Sequence, residues 1–228
     1  MVITKIEKQK KTKTNRYNLY CDDLFVCGIS EKTIAQNFLY ENKIIDNELL
    51  EEIIEKDKLN YGMNYAYNLI SYSPRTSFEL KNKLLQKGVS EEHCLQIINK
   101  LIEYNYINDE DYLKNYVSNC ILKKQGILKI KQGLLQKGFE KQIINEYIED
   151  FFSQNNILDN NNESLILQIE NNIKNLILKK EKSLNYFNEN DNLTKRKKKE
   201  KIIRYLLSKG YEYEQISKEL DILEKYND

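Results

Sequence analysis

The block Leu84-Leu85-Gln86-Lys87-Gly88 returns as Leu134-Leu135-Gln136-Lys137-Gly138 and again as Leu206-Leu207-Ser208-Lys209-Gly210. That repetition restricts the possible folds more than any other feature of the chain. Counted from each glycine, apolar residues recur at −8, −4, −3, +1, +6, +10 and +13 in all three copies. In the first copy these are Leu80, Leu84, Leu85, Val89, Cys94, Ile98 and Leu101. A spacing of four before the glycine, and of four then three after it, places side chains on one face of a helix. Glycine ends a helix because it enters the left-handed conformation without a Cβ penalty. The lysine before it sits where a cation favours the negative helix end. The unit is a hairpin of two helices joined at glycine, and the chain holds three.

A further helix precedes each hairpin. In the first copy it carries Tyr65, Leu69 and Ile70 and stops before Ser73-Pro74, after which Thr76 and Glu79 form a capping-box pattern. In the second it opens at Asn108-Asp109-Glu110-Asp111, carries Tyr112, Tyr116, Val117 and Ile121, and ends near Gly126. In the third it runs longer, over residues 163–187, with Ile166, Ile169, Ile173, Leu176 and Ile177 in its stripe. The glycines lie 50 and then 72 residues apart, the excess falling in an Asn-rich insert at 155–163, the longer helix and a linker at 188–195. The expected fold is mainly α: an elongated array of three tandem three-helix repeats, at 59–107, 108–157 and 158–228. Such small units lean on their neighbours for stability.

Residues 1–58 differ. Alternating apolar and polar positions predict short strands at 2–8, 16–21 and 24–28, with turns at 10–15 and 22–23, forming a small β-hairpin extension. Helices at 31–38 and 48–57 link it to the array. The first twenty residues hold six Lys or Arg against one Glu, which suits either a phosphate-touching arm or a sheet edge protected by lysine.

Composition closes off several classes. One proline and seven glycines in 228 residues suit long helices and oppose a sandwich or barrel. Lys+Arg 36 against Asp+Glu 35 gives +1, which opposes binding nucleic acid by bulk charge. A mean hydropathy of −0.69 and no 18-residue apolar run oppose a membrane span. The first residues show no export signal, so the chain is expected in the cytoplasm. Cys21, Cys27, Cys94 and Cys120 have no metal spacing, and a nucleophilic site would have to centre on the single histidine, His93, whose neighbour Cys94 faces another way on the helix and is expected in the core. No phosphate-binding glycine loop is present either. The expectation is a protein that is not an enzyme and takes no cofactor or metal.

The ordered residues resemble a known family, the recombination regulator RecX. The resemblance rests on Tyr65-Ala66-Tyr67-Asn68-Leu69-Ile70, then Arg75-Thr76-Ser77-Phe78-Glu79-Leu80 with the first Lys87-Gly88. It continues through Leu101-Ile102-Glu103, Ile107-Asn108-Asp109-Glu110-Asp111-Tyr112 and Gly126 to Lys137-Gly138. It implies a non-enzymatic partner of RecA that binds the RecA–DNA filament and restrains its ATP hydrolysis, strand exchange or growth; a monomer is expected, with weak direct DNA contact as a secondary expectation. The alternative class is a DNA-binding module of helix-turn-helix type.

Candidate contacts are the cations off the apolar columns: Arg75, Lys81, Lys83 and Lys87 in the first repeat, and Lys123, Lys124, Lys129, Lys131 and Lys137 in the second. Lys81 and Lys131 share position −7. In the third repeat the dense run from Lys195 to Lys201 supplies Arg196, Lys197, Lys198 and Lys199. Each position also fits a plain solvated helix face.

Overall fold

The computed structural model describes residues 1–10, 15–154 and 165–227. The 155–163 insert and most of the expected turn at 10–15 lie outside the described residues. Three strands form as the alternation predicts: β1 (Ile3–Lys8), β2 (Arg16–Cys21) and β3 (Leu24–Ser30), antiparallel in the order β1-β2-β3. The extension is therefore a three-stranded meander, one strand more than a hairpin. Asp22 and Asp23, at φ 49° and 65°, make the two-residue turn between β2 and β3. One face of the sheet buries Ile3, Leu19 and Ile29 against Leu39, Ile45, Leu50 and Ile53.

Ten helices follow among the described residues. Helix α1 (Glu31–Gln36) is capped by Ser30, and α2 (Asn47–Tyr72) by Asp46. The linking helix expected at 48–57 and the first helix of repeat one are thus a single 26-residue helix. Residues 58 and 59 lie inside it. Gly62 does not break it, because a Cβ there would lie 2.6 Å from Ile97 Cδ1; the glycine lets α2 approach its neighbour. Ser73 and Pro74 end α2, and the Thr76–Glu79 capping box opens α3 (Ser77–Gln86). Helix α4 (Glu91–Glu103) starts at Ser90, whose hydroxyl accepts from the His93 amide. These helices enclose a core that includes Ala66, Leu80, Leu84, Cys94, Ile97 and Leu101.

The chain divides into two compact bodies, Met1–Asn108 and Asp109–Asp228. The second holds α5 (Asp109–Leu122), α6 (Ile127–Gln136), α7 (Lys141–Gln154), α8 (Leu165–Leu184), α9 (Asn192–Ser208) and α10 (Tyr213–Asn227). Its two hairpins share one continuous core, in which Ile130, Leu134, Ile144, Ile173, Ile202, Leu206 and Ile216 are all nearly inaccessible. No described helix is long and apolar enough to cross a membrane.

All three repeat glycines take the left-handed conformation, at φ 84°, 91° and 90° for Gly88, Gly138 and Gly210. The caps are identical. The amides of Val89, Phe139 and Tyr211 donate to the carbonyls of Leu84, Leu134 and Leu206, and the glycine amides donate to Leu85, Leu135 and Leu207. This is the Schellman arrangement, with its apolar contact between the residue after glycine and the −4 leucine. Six of the seven apolar columns turn inward. The seventh does not: Leu85, Leu135 and Leu207, at −3, remain 40%, 49% and 43% exposed.

Tyr211, after the third glycine, is 1% exposed and its hydroxyl has no hydrogen-bond partner. Burial pushes its pKa up to about 12. A buried unsatisfied hydroxyl costs about 1–3 kcal/mol. Tyr211→Phe is therefore expected to leave stability unchanged or raise it, measured by urea unfolding. A clear loss would show that the hydroxyl is partnered in solution.

Candidate partner-binding surface

A cation contributes to an interface according to whether the fold already uses it. In the first hairpin, Arg75 Nε donates to the Leu69 carbonyl and closes the α2–α3 corner. Lys81 pairs with Glu91 at 2.7 Å across the hairpin, and holds that carboxyl below its usual range. Lys83 reaches Gln86 at 3.5 Å, and Lys87 lies over the Tyr65 ring. The last two are exposed.

In the second hairpin, Lys123 and Lys124 follow α5, and Lys124 at φ 56° turns the chain. The helix therefore ends shortly before Gly126, near which the sequence reading placed its end. Lys131 donates to Asn145 Oδ1 at 2.7 Å, so the two −7 lysines both reach across to the second helix of their hairpin, to different partners. Lys129 packs its backbone against Gly210, and its side chain is exposed. Lys137 is half-buried at the C-cap of α6.

The dense run on α9 divides in two. Lys198 pairs with Glu189 at 2.6 Å and also donates to the Asn185 carbonyl. Lys199 pairs with Glu224 at 3.0 Å and lies 3.6 Å from Asp221. Burial raises the Glu224 pKa, but the bonds from Tyr186 and Lys199 outweigh it and bring the carboxyl below its ordinary range. These two lysines tie α9 to the preceding loop and to α10. Arg196, 3.6 Å from Glu200, and Lys197 stay exposed. Asn192, Lys195, Arg196 and Lys199 line a cavity of about 210 Å³ with Tyr186 and Glu224.

Sequence reasoning missed one charged centre. Asp57, buried in α2, accepts from Arg16 at 3.0 Å, from the Ser30 amide at 3.1 Å and from the Thr33 hydroxyl at 2.6 Å. Arg16 also lies over the Tyr61 ring, so the strongest cation of the basic N-terminal stretch is turned inward. The cysteines are free thiols. Burial and then Asp57 push Cys27 up to about 11, away from thiolate chemistry. Among the described residues no cluster of three or more His, Cys, Asp or Glu could hold a metal.

Comparison with known proteins fits this arrangement. Residues 1–46 match the model of the regulatory protein RecX N-terminal domain, residues 63–101 that of the RecX first three-helix domain, and residues 185–220 that of the third. The regulatory protein RecX of Clostridium perfringens strain 13 is 33% identical over 212 residues, 93% of this chain and 91% of the relative. That of Clostridium acetobutylicum is 32% identical over 223 residues, covering 96% and 94%. A crystal structure of a regulatory protein RecX aligns with a TM-score of 0.59 at 25% identity, over 96% of this chain and 98% of that one. The crystal structure of RecX from Lactobacillus salivarius aligns at 0.55 and 29% identity, over 74% and 97%.

Proposed function

The chain belongs to the RecX family of regulatory proteins, and we propose that it acts on RecA, binding the RecA–DNA filament in the cytoplasm and restraining its ATP hydrolysis, strand exchange and growth. The observation that carries this reading is the threefold identity of the glycine-capped hairpin. A partner that repeats rewards a binder that repeats, because linked weak contacts gain from high effective concentration. No step of this reading requires a covalent intermediate or a cofactor.

The test is DNA-stimulated ATP hydrolysis by RecA with the full chain titrated in. Hydrolysis is expected to fall at stoichiometric ratios or below, and an unchanged rate would remove the reading. A charge-reversed pair, Arg196→Glu with Lys197→Glu, is expected to keep the fold and weaken inhibition roughly tenfold, as loss of two exposed contacts near an acidic partner would. Lys198 and Lys199 are left out of that variant because reversing them would break the pairs with Glu189 and Glu224.

A second reading, a DNA-binding three-helix module, is favoured by the exposed Arg196 and Lys197 in the first turns of α9. Binding to naked DNA would weaken steeply with salt, in proportion to the phosphates neutralised. Inhibition of RecA that persists at a salt concentration abolishing binding to naked DNA would reject this alternative.

A further inference from the structure

The three glycine-ended helices share two properties that the core does not require. The first is the exposed leucine. The Schellman cap uses the side chains of the −4 leucine and of the residue after glycine; the −3 leucine lends it only its backbone carbonyl, so its side chain adds nothing. The exposed position −2 drifts by contrast: it is Gln86, Gln136 and Ser208. Position −3 stays leucine three times and is 40–49% exposed each time. On α3 and α6 a second exposed apolar residue, Phe78 or Leu128, stands seven residues earlier on the same helix face.

The second property is charge. Helix α6 with its cap carries Lys129, Lys131 and Lys137 and no carboxylate. Helix α3 with its cap carries three lysines against Glu79. Helix α9 with its cap carries eight cations against Glu200. The second helix of every hairpin, α4, α7 or α10, is net −2. The near-neutral total therefore hides a polarity repeated in each hairpin, positive on the helix that ends at glycine.

We propose that Leu85, Leu135 and Leu207 are the apolar anchors of a repeated docking surface, each seated in an apolar pit rimmed by carboxylates on the protein subunits of the filament. The inference rests on the RecA reading and specifies how that contact is made. An exposed leucine on a cationic helix complements an acidic protein surface with an apolar centre; a phosphate backbone would use the cations and leave the leucine exposed.

Glutamine matches leucine in helix propensity, so Leu85→Gln, Leu135→Gln and Leu207→Gln preserve the helices at these exposed sites. With the full chain, each single change is expected to raise the concentration giving half-inhibition of RecA ATP hydrolysis roughly five- to tenfold, and the triple change roughly a hundredfold. The triple variant should keep its affinity for naked single-stranded DNA. Wild-type inhibition by the triple variant would overturn the proposal while leaving the RecA reading intact. An equal loss on naked DNA would also overturn it, and absence of inhibition by the unmodified chain would remove both. Amide exchange of the unmodified chain bound to RecA–DNA filaments gives a readout independent of any variant's folding. Protection over 83–87, 133–137 and 205–209 is expected, and unchanged exchange at all three overturns the assignment.

Discussion

Asp57→Ala is expected to destabilise the body Met1–Asn108 by about 3–5 kcal/mol, the range for removing one partner from a buried ion pair. The carboxylate joins three elements: Arg16 on β2, Ser30 at the end of β3 and Thr33 on α1. Removing it leaves the Arg16 guanidinium, whose side chain is only 16% exposed, without its counter-charge. It also leaves the Ser30 amide without its acceptor. Asp57→Asn keeps acceptor capacity but loses the charge, and should fall between alanine and wild type. Urea unfolding of the full chain, followed by circular dichroism, measures the difference. A loss below about 1 kcal/mol for the alanine variant, as expected of an exposed pair, would show that this network does not hold the sheet to α2.

Gly126→Ala should damage the second body severely. A Cβ at this position would stand 2.2 Å from both the carbonyl carbon and the oxygen of Gly210, and 2.4 Å from the Tyr211 amide nitrogen. All three are backbone atoms, so the two segments must separate. Separation weakens the hydrogen bonds from Gly126 to the Lys209 carbonyl (2.8 Å) and from Leu128 to the Gly210 carbonyl (3.1 Å). Over-packing costs about 1–3 kcal/mol, and each weakened bond adds about 1 kcal/mol. Gly88→Ala is the contrast. Its Cβ would meet nothing within 4 Å, so only the left-handed backbone is penalised, by about 1–2 kcal/mol. Equal losses for the two variants would mean that the second and third hairpins are not joined backbone to backbone at this point.

The local grammar of the fold was legible. The glycine caps, the Thr76 capping box, the Ser90 cap and the three strands each depend on residues within a few positions of one another. What escaped depends on contacts between distant segments. Asp57 lies among Glu, Lys and Asp on a helix and reads as solvated, because its partner Arg16 is 41 residues away. Gly62 drew no comment in the sequence, because its use, the close approach of Ile97, comes from a residue 35 positions away. Leu84 was legible as core because it follows Leu80 at a spacing of four, but the exposure of Leu85 beside it depends on how α3 sits on its neighbours. Among the proposed contact residues, the sequence located the cations but not their pairing. Lys81, Lys198 and Lys199 hold ion pairs within the fold, whereas Lys197 has none among the described residues.

Helix α2 spans about 39 Å at 1.5 Å per residue. It is docked to the strands through Leu50 and Ile53 in its first two turns and through Asp57 near its middle, and to the first hairpin through Gly62. Sheet and hairpin are thus mounted on one shaft with no joint between them. A displacement of the strands would therefore be carried into the first hairpin by the same helix, with no hinge to absorb it.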